Sequence, residues 1–341
     1  MKNNQNIPFL SVTILNYNYA HYLGKCLDSI LSQTMPDFEI ILINDCSKDN
    51  SLEIIQPYLS DTRIKMVNHE TNQGYVSSLA EGCELSRGTY ISVISADDYV
   101  LENTAFETAR KVLLNDRDIS LCYSAWHEID DSGYIRHTRR AAEHDYVDQG
   151  LNEFKRLILS SPILHSGTII RRDAYQAVGG YDTRCRYSVD TNLWLALCSV
   201  GKVAYINRPL YAYRAHVSNM SNTKGALWQA TAEMLLGIDV ALSRFPDEIL
   251  PDKNALRRKA KKRALVAVPT LDIFANRFKR GWYGFWKAFQ HYPLLTLGQP
   301  RVISLTLRTM LGSKNYEYVV KLKRGKSGET AKPKETTYIH S

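Results

Sequence analysis

Long apolar runs and clustered cysteines are the two features that this 341-residue sequence most clearly lacks. No stretch reaches the roughly 18 consecutive apolar residues that a membrane-spanning helix needs, and the polar first residues lack the pattern of a secretory signal. The six cysteines are scattered without a C-x-x-C pair, which predicts reduced thiols and no zinc site. We therefore expect a cytoplasmic protein.

Acidic residues are scarce in the last quarter of the chain. Residues 251–341 hold 20 Lys and Arg against 5 Asp and Glu, whereas residues 1–250 hold 23 against 30. The net charge of +8 therefore belongs to the C-terminal part. With 44% apolar and 23% charged residues, the composition is that of an ordinary globular protein, long enough for one large domain and an extension.

Short apolar runs alternate with amphipathic segments in the first hundred residues. The β-branched runs predict strands that are buried on both faces, and the segments between them predict helices. The four predicted strands cover residues 9–15, 38–43, 64–67 and 89–94. This order predicts an α/β fold with a doubly wound, mostly parallel sheet. Such sheets bind ligands at the carboxyl ends of their strands, so the polar loops after Leu15, Ile43 and Ile94 are candidate functional segments.

The loops after the first two predicted strands carry residue types that recognise a nucleobase. Their candidate residues are Asn16, Tyr17, Asn18 and Asp45. A tyrosine ring offers a stacking surface, and a carboxylate such as Asp45 can accept the imide N–H of uracil. The second loop has another possible role, which is to cap the following helix, and we expect either Ser47 or Asp49 to do so.

Two adjacent carboxylates, Asp97 and Asp98, follow the fourth predicted strand. Their mutual repulsion is unfavourable unless a positive group compensates it, and a divalent cation would do so. Mg²⁺ and Mn²⁺ prefer a few carboxylate oxygens together with phosphate oxygens and water. The pair alone is also compatible with a turn or a helix cap.

Several spaced motifs resemble glycosyltransferase family 2. They cover residues 11–18, 41–50, 72–74, 88–90, 96–99, 179–182, 190–195, 213–216 and 219–221. The similarity spans roughly residues 8–222 and ends there. It implies a nucleotide-diphospho-sugar transferase fold of the GT-A type and an inverting, metal-dependent transfer of a sugar from a nucleotide-diphospho-sugar, with a uridine donor favoured, to an acceptor hydroxyl.

The resemblance also implies roles for individual residues. Asp190 is the implied general base, and Asp45 contacts the base of the donor. The implied donor-binding residues are Asn16, Tyr17, Asn18, Asp45, Asn72, Gly74, Asp97 and Arg214. The implied ligands of a divalent Mn²⁺ or Mg²⁺ are Asp97, Asp98 and His216. A single histidine is as readily structural as functional, so both roles stay open for His216.

The chain departs from the family pattern at two positions. Ser95 stands where the Asp-x-Asp metal motif has its first aspartate, so sequence does not decide whether Asp97 or Asp98 ligates the metal. Val189 precedes the implied base where relatives often have glutamate, although the segment that follows Asp190 matches well. We interpret Trp194 in that segment as core packing, because it lies within a continuous apolar run.

The basic C-terminal part predicts a helical extension at residues 225–330 and a disordered tail at 331–341. A cationic segment at 257–263 adjoins an apolar run at 264–268, and cations interleave with aromatic residues at 278–287. Both patterns suit an anionic membrane surface at the inner face of the cell membrane. A solvated helical face is the alternative. We expect no nucleic-acid partner, because no helix-turn-helix, zinc or RNA-recognition signature accompanies the charge.

These features predict a glycosyltransferase whose catalytic domain covers residues 1–224. Its nucleotide-binding half is expected at about 8–100 and its acceptor half at about 101–224, with a growing or lipid-linked surface glycan as acceptor. One rival is a nucleotidyltransferase, which would be expected to carry a Gly-rich basic loop after the first strand. The other is a nucleotide-sugar-binding module without turnover, which would tolerate the loss of the strand-end carboxylates.

Overall fold

The computed structural model describes residues 7–216, 219, 226–274, 286 and 290. The chain divides into two compact units, Met1–Asn219 and Met220–Ser341. The predicted tail at 331–341 and all but one residue of the aromatic and basic segment at 278–287 lie outside the described residues.

The first unit is built on a ten-stranded sheet. Its strands are β1 Leu10–Asn16, β2 Phe38–Asn44, β3 Ile64–Asn68, β4 Tyr90–Ser95, β5 Tyr99–Val100, β6 Ile119–Ile129, β7 Ile135–Arg139, β8 Tyr146–Asp148, β9 Ile169–Arg171 and β10 Lys202–Arg214. Strands β1 and β2 are buried along their whole length, which explains their continuous apolar sequences.

Helices connect these strands and cover the sheet. Those of the first unit are α1 Ala20–Leu31, α2 Ser51–Ile55, α3 Tyr75–Leu85, α4 Ala105–Asn115, α5 Gly150–Leu157, α6 Arg172–Ala177 and α7 Val189–Leu197. A 3-10 helix at Gln56–Ser60 follows α2, where the sequence pattern predicts one longer helix. Pro57 lies in its first turn, where the missing N–H of a proline costs no hydrogen bond.

The strand order is β3-β2-β1-β4-β9-β6-β10-β5. Strands β3, β2, β1 and β4 pair in parallel, as do β6 and β10, whereas β9 joins β4 to β6 with antiparallel pairing. The predicted α/β fold with a mostly parallel sheet is confirmed. All four parallel strands of the first half end at one edge of the sheet, which brings the loops after β1, β2 and β4 together.

The second unit contains α8 Ala226–Ser243 and α9 Lys253–Phe274. Asp239 of α8 forms ion pairs with Arg257 and Lys261 of α9, and Lys253 pairs with Asp247 in the connecting turn. Arg258 and Lys259 of α9 are exposed. Among the described residues, no helix is both long and apolar enough to cross a membrane.

Candidate active site

Asparagine side chains end the first three strands of the sheet and pair with one another. The strand register aligns Asn16, Asn44 and Asn68. The Asn16 amide donates to Asn44 Oδ1 at 2.8 Å, and the Asn44 amide donates to Asn68 Oδ1 at 2.7 Å. These hydrogen bonds fix the positions at which the loops after β1 and β2 begin. Asn16 itself is buried, so it positions the loop that carries Tyr17.

The loops after β1 and β2 are joined by further hydrogen bonds. Asn18 Oδ1 accepts from the backbone N–H of Lys48 at 2.7 Å, and Ser47 Oγ accepts from the backbone N–H of Asn18 at 3.0 Å. Tyr17 lies in the first of these loops with 45% of its surface exposed, as a stacking residue requires. Asp49 Oδ1 accepts from the backbone N–H of Ser51, the first residue of α2, at 3.1 Å, but the N-cap residue is Asn50, which makes no side-chain cap hydrogen bond. The expectation that Ser47 or Asp49 caps this helix is therefore wrong.

Asp45 is buried and accepts several hydrogen bonds from the segment after β3. Its Oδ1 accepts from the backbone N–H of Gln73 at 2.7 Å, and its Oδ2 accepts from that of Gly74 at 2.9 Å. Asn72 donates to the backbone carbonyl of Asp45 at 3.2 Å. Gly74 has a φ of +85°, a conformation that glycine adopts without strain, and this turn aims its N–H at the carboxylate. The predicted residues Asn72, Gly74 and Asp45 therefore form one cluster.

The adjacent aspartates after β4 have different surroundings. Asp98 accepts from the backbone N–H of Arg214 at 2.9 Å and from the hydroxyl of Ser166. Asp97 Oδ2 lies 3.0 Å from His216 Nε2, whereas Asp97 Oδ1 is buried and has no hydrogen-bond partner among the described residues. Burial and the neighbouring charge of Asp97 raise the pKa of Asp98 well above its usual range.

Aromatic rings surround the histidine that faces Asp97. The rings of Tyr19 and Tyr22 lie 5.5 and 5.7 Å from the His216 ring, measured between centroids. The Arg214 guanidinium stacks over the Tyr22 ring at 4.4 Å and donates to the backbone carbonyl of Asp97 at 3.1 Å. Arg214 is buried, so these contacts hold the end of β10 against the loop after β4.

Asp97 and His216 satisfy part of the requirement of a divalent cation. Among the described residues, no group of three or more His, Cys, Asp or Glu side chains forms a complete metal site. Mg²⁺ and Mn²⁺ are commonly held by one or two protein ligands together with phosphate oxygens and water. The unpartnered Oδ1 of Asp97 suits such a ligand set, because a buried anionic oxygen is costly without a partner.

Asp190 lies in the first turn of α7 and is partly exposed. Its Oδ1 accepts from the backbone N–H of Thr191 at 2.7 Å. Burial, followed by the charges of Asp190, Asp97 and Asp98, raises the pKa of Tyr75 well above its usual value. Tyr75 therefore lies within the electrostatic reach of the acid of α7 and of both aspartates that follow β4.

A partly exposed histidine that the sequence analysis missed bridges two tyrosines in the surroundings of Asp190. His165 Nδ1 lies 2.6 Å from the Tyr75 hydroxyl, and Nε2 lies 2.8 Å from the Tyr181 hydroxyl. Burial lowers the pKa of His165, while Asp190 opposes that shift. A second missed residue is His69, which contacts Asp45. A single histidine in a loop carries no periodic signal, so only the tertiary contacts identify these two.

The family of the chain follows from its similarity to known sequences. The model of glycosyl transferase family 2 matches residues 11–179. An uncharacterized glycosyltransferase of Rickettsia prowazekii (strain Madrid E) is 30% identical over 230 residues, which are 65% of this chain and 69% of the relative. The chain belongs to glycosyltransferase family 2, and the resemblance of its motifs to that family is confirmed.

Other relatives are much longer than this chain. A chondroitin synthase of Pasteurella multocida (strain Pm70) is 30% identical over 219 residues, which are 63% of this chain and 21% of that protein. A hyaluronan synthase of Pasteurella multocida is 29% identical over 222 residues and is covered to 22%. The chain thus spans about a fifth of the length of these two synthases.

Two solved structures share the fold at low sequence identity. TarS 1-349 of S. aureus, solved in complex with UDP-GlcNAc, has a TM-score of 0.56 and 16% identity, covering 77% of this chain and 82% of that chain. The mannosyltransferase PcManGT of Pyrobaculum calidifontis, solved with GDP-Man and Mn²⁺, has a TM-score of 0.55 and 15% identity, covering 95% of this chain and 89% of that chain. The shared architecture confirms the predicted GT-A type of the fold.

Proposed function

We propose that the chain is an inverting glycosyltransferase that moves a sugar from a nucleotide-diphospho-sugar donor to an acceptor hydroxyl. The observation that carries this proposal is the carboxylate of Asp97, which is buried at the end of β4 with Oδ2 against His216 and Oδ1 without a partner among the described residues. Membership of glycosyltransferase family 2 supports the same reaction.

Asp97 and His216 are the proposed protein ligands of a divalent Mn²⁺ or Mg²⁺. Asp98 acts as a positioning residue, since both of its oxygens accept hydrogen bonds from Ser166 and Arg214. When bound, such a cation neutralises the negative charge of the leaving diphosphate. The Mn²⁺ in the mannosyltransferase complex supports this assignment.

The loops after β1 and β2 are the proposed site of the donor base. Tyr17 supplies the exposed ring for stacking, and the Asp45 carboxylate accepts the imide N–H of a uracil. Asn18, Asn72 and Gly74 hold these two groups in place through the hydrogen bonds described above. The UDP-GlcNAc bound by TarS supports a uridine donor.

Asp190 is the proposed general base. Its carboxylate takes the proton of the acceptor hydroxyl while that oxygen bonds to the anomeric carbon and the bond between this carbon and the diphosphate oxygen breaks on the opposite face. An ionised carboxylate serves this purpose near neutral pH. The lowered pKa of the neighbouring His165 disfavours a competing positive charge there.

The proposed acceptor is a growing or lipid-linked surface glycan, and the transferred sugar is a hexose or a related sugar. The polysaccharide synthases among the relatives support this class of acceptor. We propose a catalytic domain at 1–224, with its halves at about 8–100 and 101–224, and an extension at 225–330 followed by the tail at 331–341. The proposed location is the cytoplasm, at the surface of an anionic membrane, and the exposed cations of α9 support it.

Release of nucleoside diphosphate from a panel of nucleotide sugars with Mn²⁺ tests the enzyme proposal. We expect turnover with at least one donor and a loss of about 10²–10⁴-fold for Asp190→Asn, the range for removing a general base. Asp173→Asn is the matched control, because Asp173 is an exposed aspartate in the first turn of another helix, α6. It should retain wild-type turnover.

Two outcomes would contradict the proposal. Donor binding without turnover, unchanged by Asp190→Asn, would favour a binding module. Release of pyrophosphate from a nucleoside triphosphate and a sugar phosphate would favour a nucleotidyltransferase.

A further inference from the structure

His69 lies between two carboxylates directly behind the proposed base site. Its Nδ1 is 2.8 Å from Asp45 Oδ1, and its Nε2 is 2.7 Å from Glu81 Oε2 on α3. A neutral imidazole donates through only one nitrogen, whereas both partners here are acceptors when ionised. Burial lowers the pKa of His69, but the hydrogen bonds to Asp45 and Glu81 outweigh it and raise the pKa. An acceptor at each nitrogen therefore favours the imidazolium form, in which both nitrogens donate.

The contacts of His69 change how many donors Asp45 can still accept. An ionised carboxylate has two oxygens with about four lone-pair positions. At Asp45, Oδ1 accepts from His69 and from the backbone N–H of Gln73, while Oδ2 accepts from the backbone N–H of Gly74. One position remains, and it belongs to Oδ2.

One remaining position suits one kind of base. Uracil presents a single imide N–H between two carbonyl groups. Guanine presents two adjacent N–H donors, which a carboxylate binds best with both oxygens. Cytosine presents a ring nitrogen that accepts, and this nitrogen would face the carboxylate unfavourably.

We propose that His69 determines donor specificity by filling Oδ1 of Asp45, so that the carboxylate accepts a single N–H and selects uracil over guanine. This inference rests on the proposed function, in which Asp45 contacts the base. His69 is a positioning residue here, since it acts through Asp45 and does not touch the base.

Glu81 keeps the imidazolium charged and aligned. Its side chain is 40% exposed, whereas those of His69 and Asp45 are 10% and 7% exposed. Lys48, a charged residue of the adjoining loop, contacts a different group: its ammonium lies 3.1 Å from the Cys46 thiol. That thiol donates to the backbone carbonyl of Glu70. Asp45 and Glu81 are thus the two charges that hydrogen-bond the ring.

Calorimetric binding of UDP and GDP to the full chain tests the inference, with the ratio of the two affinities as the readout. The wild-type chain should prefer UDP. His69→Ala should weaken UDP binding by about tenfold, the loss expected for one charge-assisted hydrogen bond, and reduce the UDP-to-GDP ratio by a similar factor. The matched control is Glu84→Gln, at an exposed glutamate of α3, the helix that carries Glu81. This variant should leave both affinities unchanged.

A pH series with Glu81→Gln keeps the inference testable if His69→Ala fails to fold. The raised pKa of His69 favours the imidazolium, which donates to Asp45 and Glu81 together, at pH 6.5. As the pH rises through the raised value, the ring keeps one N–H for the two carboxylates, so its hydrogen bond to Asp45 weakens. The UDP-to-GDP ratio should therefore fall with rising pH, and Glu81→Gln should move that fall to lower pH. Both nucleotides carry the same diphosphate, so its ionisation cancels in the ratio.

Equal losses of UDP and GDP affinity in folded His69→Ala, or a ratio that does not change with pH in the wild-type chain, would overturn the inference and leave His69 a structural residue. Failure of the proposed function has a different signature. In that case the wild-type chain binds neither nucleotide, or Asp45→Asn binds UDP as tightly as the wild-type chain does.

Discussion

At the scale of single residues, the same side chain has two different surroundings at adjacent positions. Each oxygen of Asp98 accepts a hydrogen bond, one from Ser166 and one from the backbone of Arg214, while Asp97 has one oxygen against His216 and the other without a partner among the described residues. The difference arises because successive residues after a strand point in different directions. We therefore propose that Asp97 binds the metal and that Asp98 positions the loop.

We predict that Asp97→Asn affects metal binding and turnover, whereas Asp98→Asn affects the stability of the fold. Asp97→Asn should abolish the Mn²⁺-dependent rise in unfolding temperature measured with UDP and lower turnover by about 10²–10³-fold, since it removes charge stabilisation of the leaving group. Asp98→Asn should retain the Mn²⁺ effect and lose about 1–3 kcal/mol of folding free energy, since it disturbs buried hydrogen bonds. The reverse pattern would assign ligation to Asp98.

A buried glutamate far from the site provides a second residue-scale prediction. Glu39 of β2 accepts hydrogen bonds from Ser11, from Lys65 and from the backbone and side chain of Arg87. Burial opposes ionisation of Glu39, but these bonds outweigh it and lower the pKa from 4.5 to about 2. The folded state therefore gains stability above pH 4.5 and loses it as the pH falls from there towards 2.

Glu39→Gln should consequently reduce the free energy of unfolding at pH 7 and flatten its dependence on pH below 4.5. We expect a loss of about 1–2 kcal/mol, because the Lys65 and Arg87 side chains are nearly half exposed and water screens their charges. Urea unfolding at several pH values measures this, with the exposed Glu53→Gln as control. An unchanged pH dependence would contradict the prediction.

At the scale of elements, the backbone after a strand decides where the polar residues point. Gly167 has a φ of +87°, and a Cβ placed there would lie 2.4 Å from the Tyr211 ring of β10. This glycine follows Ser166, the residue that donates to Asp98. The close packing of the turn on β10 therefore holds one of the two contacts of that carboxylate.

Two glycine substitutions separate backbone strain from lack of space. Gly133→Ala changes a residue with a φ of +89° and open space around the new methyl group, and it should cost about 1 kcal/mol of stability. Gly167→Ala has nearly the same φ but meets the Tyr211 ring, so overpacking should add about 1–3 kcal/mol. Denaturant unfolding measures both. Equal losses would show that the turn can move away from β10.

At the scale of the whole molecule, charge is divided between the two ends of the chain. The +15 difference between basic and acidic residues in residues 251–341 contrasts with −7 in residues 1–250. Part of this excess is paired, since Arg257 and Lys261 contact Asp239, whereas Arg258 and Lys259 are exposed on α9. Among the described residues of this part, Arg258 and Lys259 are therefore the cations that we assign to an anionic surface.

The double variant Arg258→Glu with Lys259→Glu should weaken binding to vesicles that contain anionic lipid by at least about 30-fold, because each cation near the surface contributes about 1 kcal/mol. Co-sedimentation measures this, and binding should also weaken with salt. Lys111→Glu with Lys155→Glu makes the same charge change on exposed residues of the first unit and is the matched control. Equal effects of both double variants would indicate that only net charge matters.

The elements that the sequence predicts well are those with strong local signals. The β-branched runs of β1, β2 and β4 and the amphipathic helix at Tyr75–Leu85 show their period within a few residues. The sequence pattern does not predict the long strand β10, because Pro209 lies within it and a proline usually indicates a turn. The structure accommodates this proline where the pairing with β6 shifts register.

By itself, the amino-acid sequence determined the α/β fold, the family and the strand-end positions of Asp45 and Asp97, because each depends on local patterns or on spaced motifs. Only the tertiary structure decided that His69 fills one oxygen of Asp45, that Asp98 is turned towards Ser166 and Arg214, and that His165 lies beside Asp190. The physical reason is that lone-pair positions are occupied by partners from distant segments, and one sequence carries no record of which distant donors meet.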